Sequence, residues 1–475
     1  MIDLEIKEIE QPTTKDLLDF ASTFGLVEEK ENFILLTLSA INKVSCGVES
    51  VSGSGKSVMT DIAMLLIPKE KVYNLGLTSN TATIYDYEAV NNAEIIYVEE
   101  LQKALNSNNP IIIELLKNVT EGKKISRKVY DSMERKNRTQ TIKGGLGLVY
   151  SLALENRMKK DDEMDRRVIT FTTDISQEQN RKVVKYLGKR RFKKSRLKFQ
   201  EDDRTNELRN HIKEVMALKG VEVENPFAEY ISKMVPVPFV KVRSHINHYF
   251  NLMDSSAKFH YKSRLRKDGK LFVSLQDVYN IHNLYGKMFN QKVHNLPHLG
   301  GKIMKVFDKK DEGWVKNAEK LQQMLFIDKD GEEKLYFDIT KIHKILKENG
   351  LLIKYKIIKD QCDDLVEAGF LGKEMNGKRD VYFKTDDVEE FEDNFNFQEC
   401  MIEAMKNMKE HYEEYSLEWA EMQMSDDLQF KVYDPIDGTE HKIKNMVPKE
   451  KPKKKKEVEE TIKQGKAELV EEEIE

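Results

Sequence analysis

The residues best equipped for chemistry are Gly53-Ser54-Gly55-Lys56-Ser57, set in SVSGSGKSVMTDIAMLLI. A short strand, about 44–51, is expected before them and an amphipathic helix after them. Strand, glycine loop and helix form the context of a phosphate-binding loop. The glycines let backbone N–H groups turn inward around phosphate oxygens, and the helix N-terminus adds partial positive charge. Ser52, Gly53, Ser54, Gly55 and Val58 are the expected cradle. Lys56 would reach the β- and γ-phosphates, and the Ser57 hydroxyl would ligate Mg²⁺. The pattern GxxxxGK[ST] asks for glycine at position 50, where this chain has Ser50. A plain serine-glycine turn is the bland alternative, and the flanking elements argue against it.

A second constellation is AEIIYVEEL, an apolar strand ending in Glu99 and Glu100. On its own, a pair of acids after a strand is usually a solvated strand end. Behind a phosphate loop it has a use: one acid holds the Mg²⁺ water shell and the next orients and deprotonates the attacking water. Glu99 takes the metal side and Glu100 the water, although Asp is the usual residue at the first position. A third piece, GLVYSLALENRMKKDDEMDRRVITFTTD, puts Ser151 at a strand end, where a polar group could sense a γ-phosphate. It also puts Arg166 and Arg167 just before another apolar strand. Those arginines either reach a neighbouring subunit's nucleotide or simply flank a strand in solvent.

These residues need elements to position them. From about 45 to 187, strand-like runs (EIIYV, GLVYSL, RVITFTT) alternate with helical ones, as in a sheet with crossover helices. Thr13-Thr14-Lys15-Asp16 supplies capping chemistry for a first helix that Gly25 ends, and EEKENFILLTLSAIN reads as a second, amphipathic one. The expected organisation is a helical lead-in over 1–44, an α/β core over 45–187, a helical lid or linker over 188–325, a third unit over 326–388, and a charged helix with a tail over 389–475. Within the last part, 389–424 reads as one long charged helix, Asp437-Gly438 marks a hairpin turn, and the chain from Pro448 reads as a disordered or lone solvated segment.

The order of these pieces resembles the AAA+ hexameric helicase ATPases, in particular the minichromosome maintenance helicases. It is also similar to primase-associated helicases of phages and integrative elements, where a lead-in like FGLVEEKENFILLTLSAINKV precedes an SGSGKS loop. The resemblance covers about 20–310. It implies a P-loop ATPase core with a helical lid, ATP and Mg²⁺ as cofactors, a homo-oligomer, expected to be a hexamer, and DNA, single-stranded or forked, as partner. It implies that the segment around Arg166 and Arg167 carries the trans-acting arginine. It matches Arg243, in VKVRSHINHYFNLMDSSAKFHYKSR, to the second sensor arginine of the lid. A separate primase is a further expected partner. It also implies that the basic stretch before the sensor strand, TEGKKISRKVYDSMERKNRTQTIKGG, is a hairpin gripping the DNA backbone, with Lys123, Lys124, Arg127 and Lys128 as contacts. Phosphate contact needs only positive charge within reach, and a basic surface loop is the bland reading.

YFDITKIHKILKENG and KYKIIKDQCDDLVEAGF read as two helices, and LGKEMNGKRDVYFKT as a hairpin turning at Asn376-Gly377. Helix, helix and hairpin is a winged helix-turn-helix pattern, with Lys373, Lys378 and Arg379 on the wing placed to touch phosphates. Asp360, Asp363 and Asp364 on its second helix oppose DNA, and many winged helices bind protein instead. His245, His248, His294 and His298 have spacings that zinc sites use, without any accompanying cysteine.

Composition bounds the rest. The chain has 475 residues, 34% of them charged, against about 25% in typical soluble domains. Net charge is −4, so any nucleic-acid surface must be local. Apolar runs fall far short of the ~20 residues that span a bilayer, so no membrane role is expected. The three scattered cysteines form no disulfide framework, which favours a reducing cytoplasm. The expectation is an ATP-dependent DNA helicase or translocase serving replication, in a compact mobile element. The competing expectation is an ATP-gated DNA-binding initiator, loader or regulator that does not unwind.

Overall fold

The computed structural model describes residues 11–75, 86–102, 110–131, 136–153, 166–191, 203–218, 220–237, 241–293, 300–307, 325–327, 333–351, 353–367, 369–376, 379–385, 395–424 and 430–443. Lys378, most of the basic run after Gly188, His294, His298 and the tail from Pro448 lie outside these residues, as does the side chain of Arg127.

Two helices lead in. α1 (Thr14–Phe24) starts where the Thr13 N–H donates to the Asp16 carboxylate at 2.7 Å, and ends at Gly25 in the left-handed conformation. α2 (Lys30–Ile41) departs from the amphipathic expectation. Every residue from Phe33 to Ile41 is buried. A helix apolar all round belongs in an interior, and α2 packs against α1, the sheet and the helices of the second half of the chain.

The core is a five-stranded sheet. Its strands are β1 (Cys46–Ser50), β2 (Val72–Asn74), β3 (Ile95–Val98), then β6 (Gly147–Ala153) and β7 (Ile169–Phe171). Their order is β2-β3-β6-β1-β7, and every neighbouring pair is parallel. Helices α3 (Lys56–Leu66), α4 (Tyr87–Asn92) and α5 (Pro110–Thr120) lie between the strands in sequence. Every residue of strands β3, β6 and β1 is buried, as expected when a parallel sheet is covered on both faces. Between α5 and β6 an antiparallel ribbon is inserted, β4 (Ile125–Asp131) with β5 (Lys136–Ile142). After β7 comes α6 (Gln177–Arg191).

The region expected to be purely helical is not. Helices α7 (Asp203–Ala217), α8 (Ala228–Met234), α9 (Val242–Phe259) and α10 (Leu275–Val293) accompany a small sheet of β8 (Glu222–Glu224), β9 (Arg266–Lys267) and β10 (Lys270–Phe272), while α11 (Gly300–Met304) joins the core of the unit that follows. These strands are two or three residues long, too short for alternation to register in the sequence. A buried ion pair holds the unit together. Asp277 is fully buried and accepts from Arg264 Nε at 2.7 Å and Nη2 at 2.9 Å, from Ser256 Oγ at 2.7 Å and from Ser274 Oγ at 2.9 Å. Burial raises the Asp277 carboxyl, but Arg264 and His260 more than reverse this, leaving it far below the usual carboxylate range.

The third unit has a short ribbon, β11 (Leu325–Ile327) with β12 (Glu333–Leu335). It continues with β13 (Phe337–Asp338), α12 (Ile339–Glu348), α13 (Tyr355–Glu367), β14 (Leu371–Asn376) and β15 (Arg379–Lys384), the sheet running β13-β15-β14. Asp338 caps α12 by accepting from the Lys341 N–H at 2.8 Å. Beyond it, the single charged helix expected over 389–424 is two helices, α14 (Phe397–His411) and α15 (Glu413–Glu421), broken at Tyr412. Neither stands alone: Met401, Met408 and Trp419 join the main core. The expected hairpin at Asp437-Gly438 forms from β16 (Lys431–Tyr433) and β17 (Glu440–Lys442). It folds back to the start of the chain, where Thr14 Oγ1 donates to the Pro435 carbonyl at 2.6 Å.

Candidate nucleotide site

In a parallel sheet all strands end on one edge. β1 runs into the glycine loop there, β3 into Glu99 and Glu100, and β6 into Ser151 and its successors. The register places Val98 beside Tyr150 and Ser151 beside Val48, so the loop and the acids are two strands apart on the same edge.

The loop has the conformation the glycines predict. Gly53 and Gly55 have φ of +77° and +91°. A Cβ at either would meet nothing within 4 Å, so backbone conformation, not space, asks for glycine. α3 begins at Lys56, and the N–H groups of its first turn have no acceptors within the helix. Lys56 is buried to 7% exposure, and its Nζ donates to the Val51 carbonyl at 2.6 Å, so the side chain lies across the loop it would serve. Ser52 and Val58 are exposed on either side, and Ser57 is half-buried in the first turn of α3. The hydroxyls of Ser50 and Ser54 are buried without a partner among the described residues. Orphaned buried hydroxyls at a helix N-terminus suit an anion that brings its own acceptors. Ser50, the departure from the glycine pattern, therefore fits within the loop.

Glu99 is exposed and Glu100 half-buried. Ser57 and Glu99 carry hard oxygen atoms of the kind Mg²⁺ accepts. Ser151 is placed differently from a phosphate sensor. It is 2% exposed and its hydroxyl donates to the Glu99 carbonyl, which ties the acid-bearing strand end to β6. Beneath the site Tyr97 donates to Asp61 at 2.6 Å and lies 3.1 Å from Thr60 Oγ1, linking β3 to α3. That link was not legible in the sequence, because the partners are 36 and 37 residues apart.

The arginines are elsewhere. β7 pairs Ile169 with Cys46, the first residue of β1, so Arg166 and Arg167 precede the sheet at the edge opposite the loop. Five strand residues at about 3.3 Å each separate the two edges. Arg166 is exposed, whereas Arg167 pairs with Glu121 beyond the end of α5. The His248 imidazole hydrogen-bonds the Arg167 backbone. Burial, with Lys292 and His245 nearby, depresses His248 to about 3, so it is neutral. Arg243 is exposed five residues earlier on α9, about 7.5 Å along the helix. Arg166 and Arg167 therefore belong to the edge away from the glycine loop of their own chain. Among the described residues no group of three or more His, Cys, Asp or Glu is placed to hold a metal.

The hairpin expected over the basic stretch exists as β4–β5. Lys123, Lys124 and Lys128 are exposed, although Lys123 pairs with Glu121 at 2.5 Å, and Tyr130 is 62% exposed. On the later hairpin Arg379 is exposed beside Asp338 at 3.3 Å. Lys373 is a correction. Its Nζ sits 3.0 Å from both Asp363 and Asp380, so it is neutralised within the fold and not offered to an anion. The same contact removes Asp363 as an obstacle on α13. Sequence reasoning missed Lys354, Lys356 and Lys359, which are exposed at the start of α13.

Comparison with known proteins adds little. No protein-family model matches the chain, and no curated protein matches it. Among solved structures, a "putative ATPase" from Cytophaga hutchinsonii is similar at a TM-score of 0.34 and 14% identity, over 57% of this chain and 84% of that one. What stands on the geometry is a parallel α/β sheet compatible with a P-loop core. No described helix is long and apolar enough to cross a membrane.

Proposed function

We propose that the chain is an ATPase of the P-loop type that couples hydrolysis to movement on DNA, working as a ring-forming helicase or translocase. One observation carries the reading. The sheet order delivers the glycine loop and the Glu99-Glu100 pair to one edge, and Arg166 to the opposite edge. A single copy thus holds both halves of a hydrolytic site without joining them, and adjacent copies in a closed ring would.

The residues have these roles. Backbone N–H groups of 53–57 and Lys56 hold the triphosphate, and the Ser50 and Ser54 hydroxyls are placed to donate to it. Ser57 and Glu99 hold Mg²⁺, which supplies neutralisation of phosphate charge when bound. Glu100 orients water and takes its proton. Ser151 acts through Glu99 by fixing its carbonyl. Arg166, the more exposed of the two, is the arginine presented to a neighbour. The β4–β5 hairpin and the winged helix-turn-helix formed by α12, α13 and β14–β15 are the proposed DNA contacts.

The test is ATP hydrolysis by purified protein with and without single-stranded DNA, beside Lys56→Ala and Glu100→Gln. Stimulation by DNA that both variants abolish, with ATP binding kept by Glu100→Gln, supports the motor. Hydrolysis indifferent to DNA moves the protein to the loader or regulator class. Nucleotide binding with no hydrolysis in any form rejects the helicase reading.

A further inference from the structure

Helix α6 carries an interaction surface that the proposed active site does not use. One face is fixed. Gln179 Nε2 donates to the Val27 carbonyl at 2.8 Å, Tyr186 rests on Gly25, and Lys182 pairs with Glu28 at 3.3 Å and Glu178 at 3.1 Å. These contacts dock the helix on the turn between α1 and α2. Of its fifteen residues only Gln179 is buried.

The outward side is basic. Arg181, Lys185 and Lys189 form a row at i, i+4 and i+8, all exposed, followed by Arg190 and Arg191. None of the five makes an ion pair among the described residues, whereas Lys43, Lys71, Lys233, Lys270 and Lys373 are each held by carboxylates. The sequence reinforces the pattern. Between Glu178 and Glu201 there are ten basic residues and no acidic one, in a chain where acids outnumber bases 82 to 78.

Like charges four residues apart on a helix repel and destabilise it. The row therefore strains α6 unless a counter-charge relieves it, and the docked inner face holds the helix in place meanwhile. At 1.5 Å per residue the row spans about 12 Å in a straight line. A nucleic-acid strand carries a phosphate about every 3.4 Å, so it offers a charge to each member of such a row. α6 also follows the end of β7 next to β1, and so leaves the sheet on the edge that carries the phosphate loop.

We infer that the exposed row Arg181–Lys185–Lys189 of α6 binds the phosphate backbone of a nucleic acid. This rests on the nucleic-acid partner proposed above and gives that partner a second surface, separate from both hairpins.

The experiment is anisotropy of full-length protein with labelled single-stranded and duplex oligonucleotides across a salt titration. The variant is Arg181→Gln/Lys185→Gln/Lys189→Gln, which preserves helix propensity. The control is Lys406→Gln/Lys409→Gln on α14, exposed and remote in the chain. The expected result is a salt slope for single strands lower by about two, from three contacts at about 0.7 each, with the control unchanged and the melting temperature of the variant equal to or above that of the parent. Whichever of the two oligonucleotides shows the larger fall is the bound form. An unchanged slope, or an equal fall in the control, overturns the inference and leaves the functional proposal standing. A parent protein that binds neither oligonucleotide overturns both. Loss of poly-glutamate binding with nucleic-acid binding intact would assign the row to an acidic protein and likewise overturn the inference.

Discussion

Gly47→Ala tests the strand register on which the nucleotide site depends. A Cβ at Gly47 would lie 2.2 Å from Tyr150 Cζ and 2.5 Å from both Cε carbons. Relaxed carbon contacts are about 3.5–4.0 Å, so the ring must withdraw by about 1.3 Å or more. Tyr150 is fully buried and its hydroxyl donates to Glu49 Oε1 at 2.7 Å, so retreat also breaks that bond. Overpacking costs about 1–3 kcal/mol, and the bond to a carboxyl group about 1–3 kcal/mol more. The expected loss is about 2–6 kcal/mol in denaturant unfolding followed by circular dichroism. Affinity for a fluorescent ATP analogue should weaken with it, because β1 carries the loop. Tyr150→Phe should show the hydrogen-bond part alone. Adding Tyr150→Val to Gly47→Ala should cost less than the sum of the two single losses, with a coupling of about 1–2 kcal/mol. A Gly47→Ala protein within about 0.5 kcal/mol of the parent would refute the reasoning. Tyr150 would then not lie over Gly47, and the pairing that aligns Ser151 and the acids with the loop would fall with it.

Other outcomes follow from single contacts. Burial raises the Glu94 carboxyl, but Lys71 and Lys43 more than reverse this and hold it at about 2. Its stabilising contribution is therefore complete above the ordinary carboxylate range near 4.5 and is lost as pH falls from there toward 2; Glu94→Gln should flatten a stability-against-pH curve in that window. Gly188 lies within α6 with open space around its Cβ position, so Gly188→Ala should raise stability by about 0.5–1 kcal/mol in thermal unfolding. Arg264→Gln leaves the buried Asp277 charge without its main partner and should cost about 3–5 kcal/mol in denaturant titration.

The sequence by itself determined the local chemistry. Gly53 to Ser57 read correctly as a loop opening a helix, because turn and helix-start signals lie within a few residues of one another. The capped first helix and the hairpins at 371–384 and 431–442 were legible for the same reason, whereas the hairpin at 125–142 was expected from the family resemblance alone. Only tertiary structure decided which ends of those pieces meet. Nothing local says that β6 lies between β1 and β3, that Ser151 bonds the Glu99 carbonyl, or that Arg166 and Arg167 sit on the edge away from their own loop. The same holds for charge. Lys373 and Arg181 look alike as letters, yet Lys373 is neutralised by Asp363 and Asp380 while Arg181 faces solvent. The reason is physical: periodicity and turn chemistry are short-range, whereas strand order and ion pairing are settled by burial and contact between residues far apart in the chain.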